Sequence, residues 1–211
     1  GIVESDGLPT RPKLKNVDHV TPEESSNTPT PDQQERSRTQ GARLKVDREF
    51  ALASASLRQA LQDLPELTEI SKHIMFEETK QGLNLEIIDQ NGRSMFADGS
   101  KVPYERTRLL LQKLAGPLKA TPLRVAIVGH TAAGFVPARS EYDAFDLSAD
   151  RANVVRQILE REGLPSSHIF SVSGKADSQP LFPDDPTMAA NRRVTITLMR
   201  EDPPLPPNLK P

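Results

Sequence analysis

Aromatic residues are confined to one part of this chain, and this limits how the chain can fold more than any other feature does. All seven phenylalanines and both tyrosines lie between Phe50 and Phe182. A folded unit of about 130 residues buries roughly two-thirds of the surface that its unfolded chain exposes, which is enough for a hydrophobic core. We therefore place the folded part of the chain within this region.

The segments on either side are rich in proline and polar residues. Residues 1–46 are dominated by Pro, Ser, Thr, Gln and charged residues, so they cannot bury enough apolar surface to offset the entropy lost on ordering. We predict a flexible, disordered linker over residues 1–46 and a C-terminal tail over residues 201–211. Because the chain begins with glycine rather than methionine, we expect it to be a fragment of a longer protein.

The composition argues against several classes of function. The 27 Lys and Arg nearly balance the 29 Asp and Glu, so bulk charge favours no nucleic-acid partner. The absence of cysteine excludes disulfides, thiolate metal sites and a cysteine nucleophile. The four histidines are scattered and no glycine-rich phosphate loop is present, so we predict no metal site and no cofactor. No apolar run approaches the length of about 18 residues that predicts a membrane-spanning helix.

Hydrophobic spacing predicts an α+β fold. Phe50, Leu57 and Leu61 recur at helical intervals, which predicts a linker helix over residues 47–80. This helix packs either on the folded domain, which we place at residues 81–200, or on a second copy of the chain. The domain's predicted elements are strands at 83–87, 125–128, 168–173 and 194–198, helices at 103–115 (stopped by Gly116-Pro117) and 148–162 (capped by Ser148), and a loop at 174–191. This order implies a mixed sheet with helices on one face.

Arg151 is the strongest candidate for a ligand contact. If Ser148 caps its helix, Arg151 is the third helical residue, where a cation opposes the positive end of the helix dipole. Together with the free backbone N–H groups of the helix start, an arginine there can bind a carboxylate or a phosphate. An ion pair with Asp146, Asp150 or another acid would explain the same residue, and both interpretations stay open.

Thr131 is a second candidate, because it follows a predicted strand at the sheet end where open sheets bind ligands. It would contribute one hydrogen bond, although an ordinary threonine at a strand end fits the pattern equally well. Catalytic signals are weaker still. Ser148 is explained by helix capping and its surroundings do not form a nucleophile elbow, so we predict no catalytic residue and no enzyme.

Five short motifs carry a family resemblance across residues 82–200. They are LSADRAN at 147–153, GHT at 129–131, NRRV at 191–194, FADGS at 96–100, and Tyr142 five residues before Leu147. In this order and spacing they resemble the periplasmic part of MotB-type flagellar stator proteins, which contains an OmpA-like peptidoglycan-binding domain.

This resemblance implies a fold, a ligand and partners. The fold is the β-α-β-α-β-β two-layer sandwich, and the ligand is the peptide stem of peptidoglycan, whose diaminopimelate carries a carboxylate and an amine. Arg151 would bind the carboxylate, Thr131 and Leu147 would line the pocket, and Asp98 would lie on its rim. The resemblance further implies a periplasmic dimer attached to the inner membrane, a MotA-type partner bound through an upstream transmembrane helix, and anchoring of the ion-driven torque-generating unit to the wall.

Two positions depart from the family pattern. Ala132 stands where the family has the acid that holds the diaminopimelate amine, and Ala144 stands where it has an asparagine. Losing one charge-assisted hydrogen bond costs roughly 1.5–3 kcal/mol, which is about tenfold to over a hundredfold in affinity. Either Glu141, Asp143 or Asp146 replaces the acid, or a dimer compensates for two weak sites through effective concentration.

Two other functions stay open on the sequence. One is an outer-membrane-to-wall tether of the OmpA or Pal type. The other is an OmpA-like domain that has weak or no wall binding and serves protein–protein contact, which the two alanines favour. The proline-rich residues 1–46 also suggest that the linker gates anchoring by changing how far the domain reaches.

Overall fold

Five strands form one mixed sheet in the structure, a computed structural model that describes residues 29–63, 71–137 and 139–201. The strand order is β1-β2-β5-β3-β4, in which β3 and β4 are parallel and the other neighbours are antiparallel. The strands are β1 (Ile74–Glu78), β2 (Gly82–Ile88), β3 (Val125–His130), β4 (Ile169–Gly174) and β5 (Arg193–Met199), and the α-helices are α1 (Pro31–Gln62), α2 (Glu105–Lys119) and α3 (Ala144–Arg161).

The helices cover one face of the sheet, as the alternation of apolar residues predicts. On β5, Val194, Ile196 and Leu198 are buried in the hydrophobic core, and Ile196 lies opposite Leu85 of β2. The inward residues of α2 and α3 complete this core, which contains Leu110, Leu111, Leu114, Leu118, Val155 and Leu159. The predicted α+β class and its two-layer arrangement are therefore confirmed.

The opposite face of the sheet is polar but well paired. Glu86 of β2 accepts hydrogen bonds from Arg193 Nε at 3.2 Å and from Thr195 Oγ1 at 2.6 Å. Next to them, Thr197 Oγ1 donates to Asn84 Oδ1 at 2.8 Å. These cross-strand pairs satisfy side chains that would otherwise be costly to bury.

The predicted linker helix of residues 47–80 is wrong at both ends. Helix α1 begins at Pro31, after Thr30, whose backbone N–H donates to Gln33 Oε1 at 3.2 Å. The residues from Gln33 onward include many good helix formers, which outweigh the polar composition that predicts a linker. Residues 74–78 form strand β1 instead of helix, because Ile74 and Phe76 alternate with exposed residues. The predicted continuation through residues 64–70 lies outside the described residues, as do residues 1–28 and 202–211 of the predicted linker and tail.

The C-terminal half of α1 packs on its own domain. Phe50 and Leu57 are buried, and the Arg200 guanidinium lies 4.2 Å from the centroid of the Phe50 ring. Arg58 lies over the Phe76 ring of β1 at 5.6 Å. Of the two interpretations of the helical seam, packing on the domain is therefore confirmed for these residues.

Helix α2 continues past its predicted stop. Pro117 lies inside the last turn, where its missing N–H removes one hydrogen bond. The turn is nevertheless completed, because Ala120 N donates to Gly116 O at 3.0 Å and Leu118 is buried in the core. Within the described ranges, no helix combines the length and the apolar character that a membrane crossing requires.

Candidate functional site

Helix α3 lies directly on the ends of β3 and β4 because two glycines leave room for its backbone. A Cβ atom at Gly129 would lie 2.8 Å from the carbonyl carbon of Ser148 and closer still to the carbonyl oxygen. A Cβ atom at Gly174 would lie 2.8 Å from Ala149 Cα. Side chains other than hydrogen would push the helix away, so these glycines fix the position of the helix that carries Arg151.

The start of α3 differs from the prediction. Asp143, not Ser148, caps the helix: its Oδ1 accepts from Phe145 N at 2.8 Å and from Asp146 N at 3.0 Å. Asp146 Oδ2 accepts in return from Asp143 N at 2.9 Å, which completes a capping box. Ser148 lies inside the helix and accepts a hydrogen bond from Ala176 N at 3.0 Å. Asp143 and Asp146, two of the three residues predicted to replace the acid that is missing at Ala132, are thus engaged in the helix cap.

Arg151 therefore lies two turns into α3, and the argument from the helix dipole is wrong, since that effect fades within the first turn. Its side chain is buried, 5% exposed, against the loop between β2 and α2. Nε donates to Ser100 O at 2.9 Å, Nη2 donates to Ala97 O at 3.4 Å, and the guanidinium lies 5.0 Å from the centroid of the Phe96 ring.

The alternative ion pair of Arg151 with Asp150 does not form. Asp150 Oδ2 instead accepts from Lys101 Nζ and from Tyr142 Oη, each at 3.0 Å. Burial, the hydrogen bond to Asp150 and the negative charges of Asp150 and Asp146 raise the pKa of Tyr142 to about 12. The tyrosine hydroxyl is therefore a hydrogen-bond donor at any physiological pH.

Nearby charges partly offset the cost of burying Arg151. Burial lowers the pKa of Arg151, the carboxylates of Asp89 and Asp98 raise it, and the positive charge of Arg192 lowers it. Arginine stays protonated at neutral pH under such shifts. Its two hydrogen bonds to carbonyl oxygens use two of the five N–H groups that a guanidinium carries.

Three of the four predicted site residues lie together. Leu147 is buried one helical turn before Arg151, on the same face of α3. Asp98 is exposed on the loop between the two carbonyl groups that Arg151 contacts. Thr131 is buried and is tied to α3 through Ala176, whose carbonyl oxygen accepts from Thr131 N at 2.9 Å. The Thr131 hydroxyl has no hydrogen-bond partner among the described residues. The ligand-binding role of all four stays a prediction.

Residues Asn191 and Arg192 of the NRRV motif have structural partners that sequence reasoning missed. Asn191 is fully buried; its Oδ1 accepts from Phe182 N and its Nδ2 donates to Asp185 O, both at 2.8 Å. Arg192 Nε donates to Asp89 Oδ2 at 2.9 Å. Asn191 therefore fixes the long loop before β5, and Arg192 connects the start of β5 to the loop between β2 and α2, on which Arg151 packs.

The residues around Ala132 are closely packed. Ala132 is 7% exposed, and the next residue, Ala133, donates its N–H to Pro186 O at 2.9 Å. His130 is also buried, and its pKa is lowered to about 3 by burial and by the charges of Arg193 and Lys175. In the described part of the chain, no cluster of three or more His, Cys, Asp or Glu is arranged to hold a metal ion.

Comparisons with known proteins find similarity over much of the chain. Residues 95–193 match the OmpA family. The chain is 33% identical over 147 residues to Motility protein B of Escherichia coli K12, which covers 69% of this chain and 47% of that protein. It is 34% identical over 129 residues to the putative truncated flagellar export/assembly protein LafU of the same organism, which covers 60% of each. The chain thus spans about half the length of the motility protein that it matches.

Solved structures share the fold. The periplasmic domain of Helicobacter pylori MotB has a TM-score of 0.55 at 19% identity, over 63% of this chain and 83% of that one. A putative MotB-like protein from Desulfovibrio vulgaris has a TM-score of 0.56 at 22% identity, over 72% and 96%. The cell wall anchor of the T6SS from Pseudomonas aeruginosa has a TM-score of 0.55 at 23% identity, over 69% and 97%. None of these relatives carries the name of an enzyme.

Proposed function

We propose, from the OmpA-family domain that this chain carries and from its similarity to Motility protein B, that it is the periplasmic region of a flagellar stator subunit. In this role it anchors the ion-driven torque-generating unit to peptidoglycan. The proposal includes attachment to the inner membrane through an upstream helix, a MotA-type partner and a homodimer. It includes no catalytic step.

The observation that carries the proposal is the arrangement of charge around Arg151. The buried guanidinium donates to Ala97 O and Ser100 O, which flank Asp98 in the chain, and the exposed carboxylate of Asp98 helps to raise the pKa of Arg151. Among the described residues, its hydrogen bonds go to neutral carbonyl groups rather than to an acid. A ligand carboxylate therefore meets no competing anion that is already hydrogen-bonded to the guanidinium, and such a bond is among the stronger ones in proteins.

Asp98 joins Glu141 as a candidate to replace the acid that is missing at Ala132. Asp143 and Asp146 already accept backbone N–H groups in the α3 cap. Asp98 is exposed and close enough to Arg151 to raise its pKa. Opposite charges side by side suit a ligand with both a carboxylate and an amine, as in the diaminopimelate of the peptide stem.

Co-sedimentation with purified sacculi tests the proposal. The wild-type chain is expected to pellet with sacculi, and Arg151→Ala is expected to lower the affinity at least about tenfold, because it removes a charge-assisted bond. Arg156→Ala is the matched control: this arginine is on the same helix but pairs with Glu160, so binding should be unchanged. If the wild-type chain stays in the supernatant, wall anchoring is excluded and a role in protein–protein contact is favoured.

The linker is proposed to set the reach of the domain from the membrane. Helix α1 alone has 32 residues, which corresponds to about 48 Å at 1.5 Å per residue. Deleting residues 10–28 from the full-length protein should reduce motility while leaving sacculus binding of the isolated region intact. Unaltered motility would contradict the gating role of the linker.

A further inference from the structure

Asp89 lies directly after β2, at the start of the loop between β2 and α2 on which Arg151 packs, and its side chain binds the backbone of Met95 further along that loop. It is 5% exposed, and its Oδ1 accepts from Met95 N at 2.6 Å. Its Oδ2 accepts from Arg192 Nε at 2.9 Å, and its own N–H donates to Arg192 O at 3.0 Å. This carboxylate therefore ties the loop to β5 at a buried position.

The segment that follows Met95 is the one that Arg151 contacts. We call residues 95–100 the arginine cradle, since Arg151 stacks on the ring of Phe96 and donates to the carbonyl groups of Ala97 and Ser100. Met95 is also the anchor of α2, because its carbonyl oxygen accepts from Tyr104 N at 3.1 Å and from Thr107 Oγ1 at 2.5 Å. The cradle is thus fixed at its first residue, and Asp89 holds the N–H of that residue.

We propose that Asp89 is a positioning residue for the wall-binding site: by holding Met95 it sets the shape of the cradle, and the cradle sets the orientation of the Arg151 guanidinium. This inference rests on the proposed function for its consequence in binding. It concerns a residue that touches no ligand and acts only through Arg151.

The sign of the effect separates positioning from simple electrostatics. Asp89 is negative and close enough to raise the pKa of Arg151. If only charge mattered, replacing Asp89 with a neutral residue would make the site more positive and would tighten the binding of a carboxylate. An asparagine has one acceptor oxygen for the two donors, Met95 N–H and Arg192 Nε–H, and its NH2 group opposes the other donor. If Asp89 positions the cradle, the replacement therefore weakens binding, because the loop shifts and Arg151 loses its orientation.

Glu86 of β2, three residues before Asp89, provides a matched control. It is 4% exposed and pairs with Arg193, as Asp89 pairs with Arg192. Removing its charge should destabilise the fold to a similar degree. The Glu86 carboxylate accepts its hydrogen bonds on the polar face of the sheet, from β5 rather than from the cradle, so the affinity of the folded variant should be unchanged.

The binding experiment uses wild-type chain, Asp89→Asn, Glu86→Gln, Arg151→Ala and the double variant Asp89→Asn/Arg151→Ala, each titrated against purified sacculi at a temperature where all are folded. Asp89→Asn is expected to weaken binding about fivefold to tenfold, and the double variant should bind no more weakly than Arg151→Ala alone. Unchanged or tighter binding by Asp89→Asn, an equal loss in Glu86→Gln, or additive losses in the double variant would overturn the inference.

A second measurement needs no ligand and separates failure of this inference from failure of the proposed function. The Arg151 Nε–H group donates to Ser100 O, so its NMR cross-peak, assigned by its loss in Arg151→Ala, should be protected from hydrogen exchange. Asp89→Asn should reduce that protection at least about fivefold, and Glu86→Gln should not. Unchanged protection in Asp89→Asn overturns the inference even if sacculi bind.

If sacculi do not bind wild-type chain, the proposed function fails while the exchange rates still decide the role of Asp89. Asp89→Ala, which keeps no acceptor for the Met95 N–H, is the second variant for both measurements, and it should weaken binding and protection at least as much as Asp89→Asn.

Discussion

Substituting Gly129 by alanine should destabilise the domain, because it separates α3 from β3. The new Cβ atom would lie 2.8 Å from the carbonyl carbon and 3.2 Å from the Cα of Ser148. These are backbone atoms, so no side-chain rotation relieves the overlap and the helix must move by on the order of 1 Å. Overpacking of this kind costs about 1–3 kcal/mol, whereas the lower entropy of the unfolded alanine chain returns about 0.4–1 kcal/mol. We expect a net loss of about 1–2 kcal/mol.

Urea unfolding followed by circular dichroism measures this loss, and Gly41→Ala is the control. Gly41 is exposed within α1, and outside its own helix no heavy atom comes within 4 Å of the point that an alanine Cβ would occupy, so alanine there should not destabilise the fold. Because the displaced helix carries Arg151, Gly129→Ala should also weaken sacculus binding in the folded protein. A stability loss below about 0.5 kcal/mol would mean that β3 and α3 are not in such close backbone contact.

Three further changes test separate parts of the molecule. His130 has a pKa of about 3 in the folded state against an ordinary value of 6.5, so between these pH values the unfolded state binds more protons and the free energy of unfolding falls as pH falls. In urea titrations at pH 7 and pH 5, His130→Asn should reduce the stability lost between the two pH values by about 2 kcal/mol. The same loss in wild type and variant would contradict the burial of a neutral histidine. Arg200→Ala removes the contact with the Phe50 ring and the hydrogen bond to Glu78. Amide hydrogen exchange in the C-terminal half of α1 should therefore accelerate about fivefold, while exchange in β2 stays the same. Equal acceleration in both elements would contradict the idea that Arg200 stabilises α1 locally. Ala132→Asp restores an acid and should tighten sacculus binding about tenfold, and an unchanged pull-down would count against use of this pocket.

The sequence predicts the sheet and its covered face well because the physical signal is local. Val194, Ile196 and Leu198 alternate with threonines over a single strand, and one buried face is enough to produce that pattern. Leu110 and Leu114 are buried in the same way at helical spacing. Such patterns depend on residues within one element, so the sequence alone contains the necessary information.

Element boundaries are predicted less well because competing local signals coincide there. Asp143 and Ser148 are both good helix caps and lie five residues apart. The apolar positions of α3 are compatible with either start. The outcome depends on a contact outside the helix, since Ser148 is used to bind the Ala176 N–H group. Strand β1 is missed for a related reason, because Ile74 fits both a helical and an alternating pattern.

The candidate site shows what the sequence leaves undetermined: the motif identifies Arg151, but the groups that hold it lie 51 and 54 residues away in the chain. The bond between Asp89 and Arg192 spans 103 residues, so no local pattern predicts it. The described hydrogen bonds of the Arg151 guanidinium go to neutral carbonyl groups, and this carries a cost, since an uncompensated buried charge is destabilising. Asp89 offsets part of that cost from a distance, without occupying the guanidinium. The result is a buried arginine whose orientation is fixed by groups far away in the chain, and neither its burial nor its orientation can be predicted from the motif that contains it.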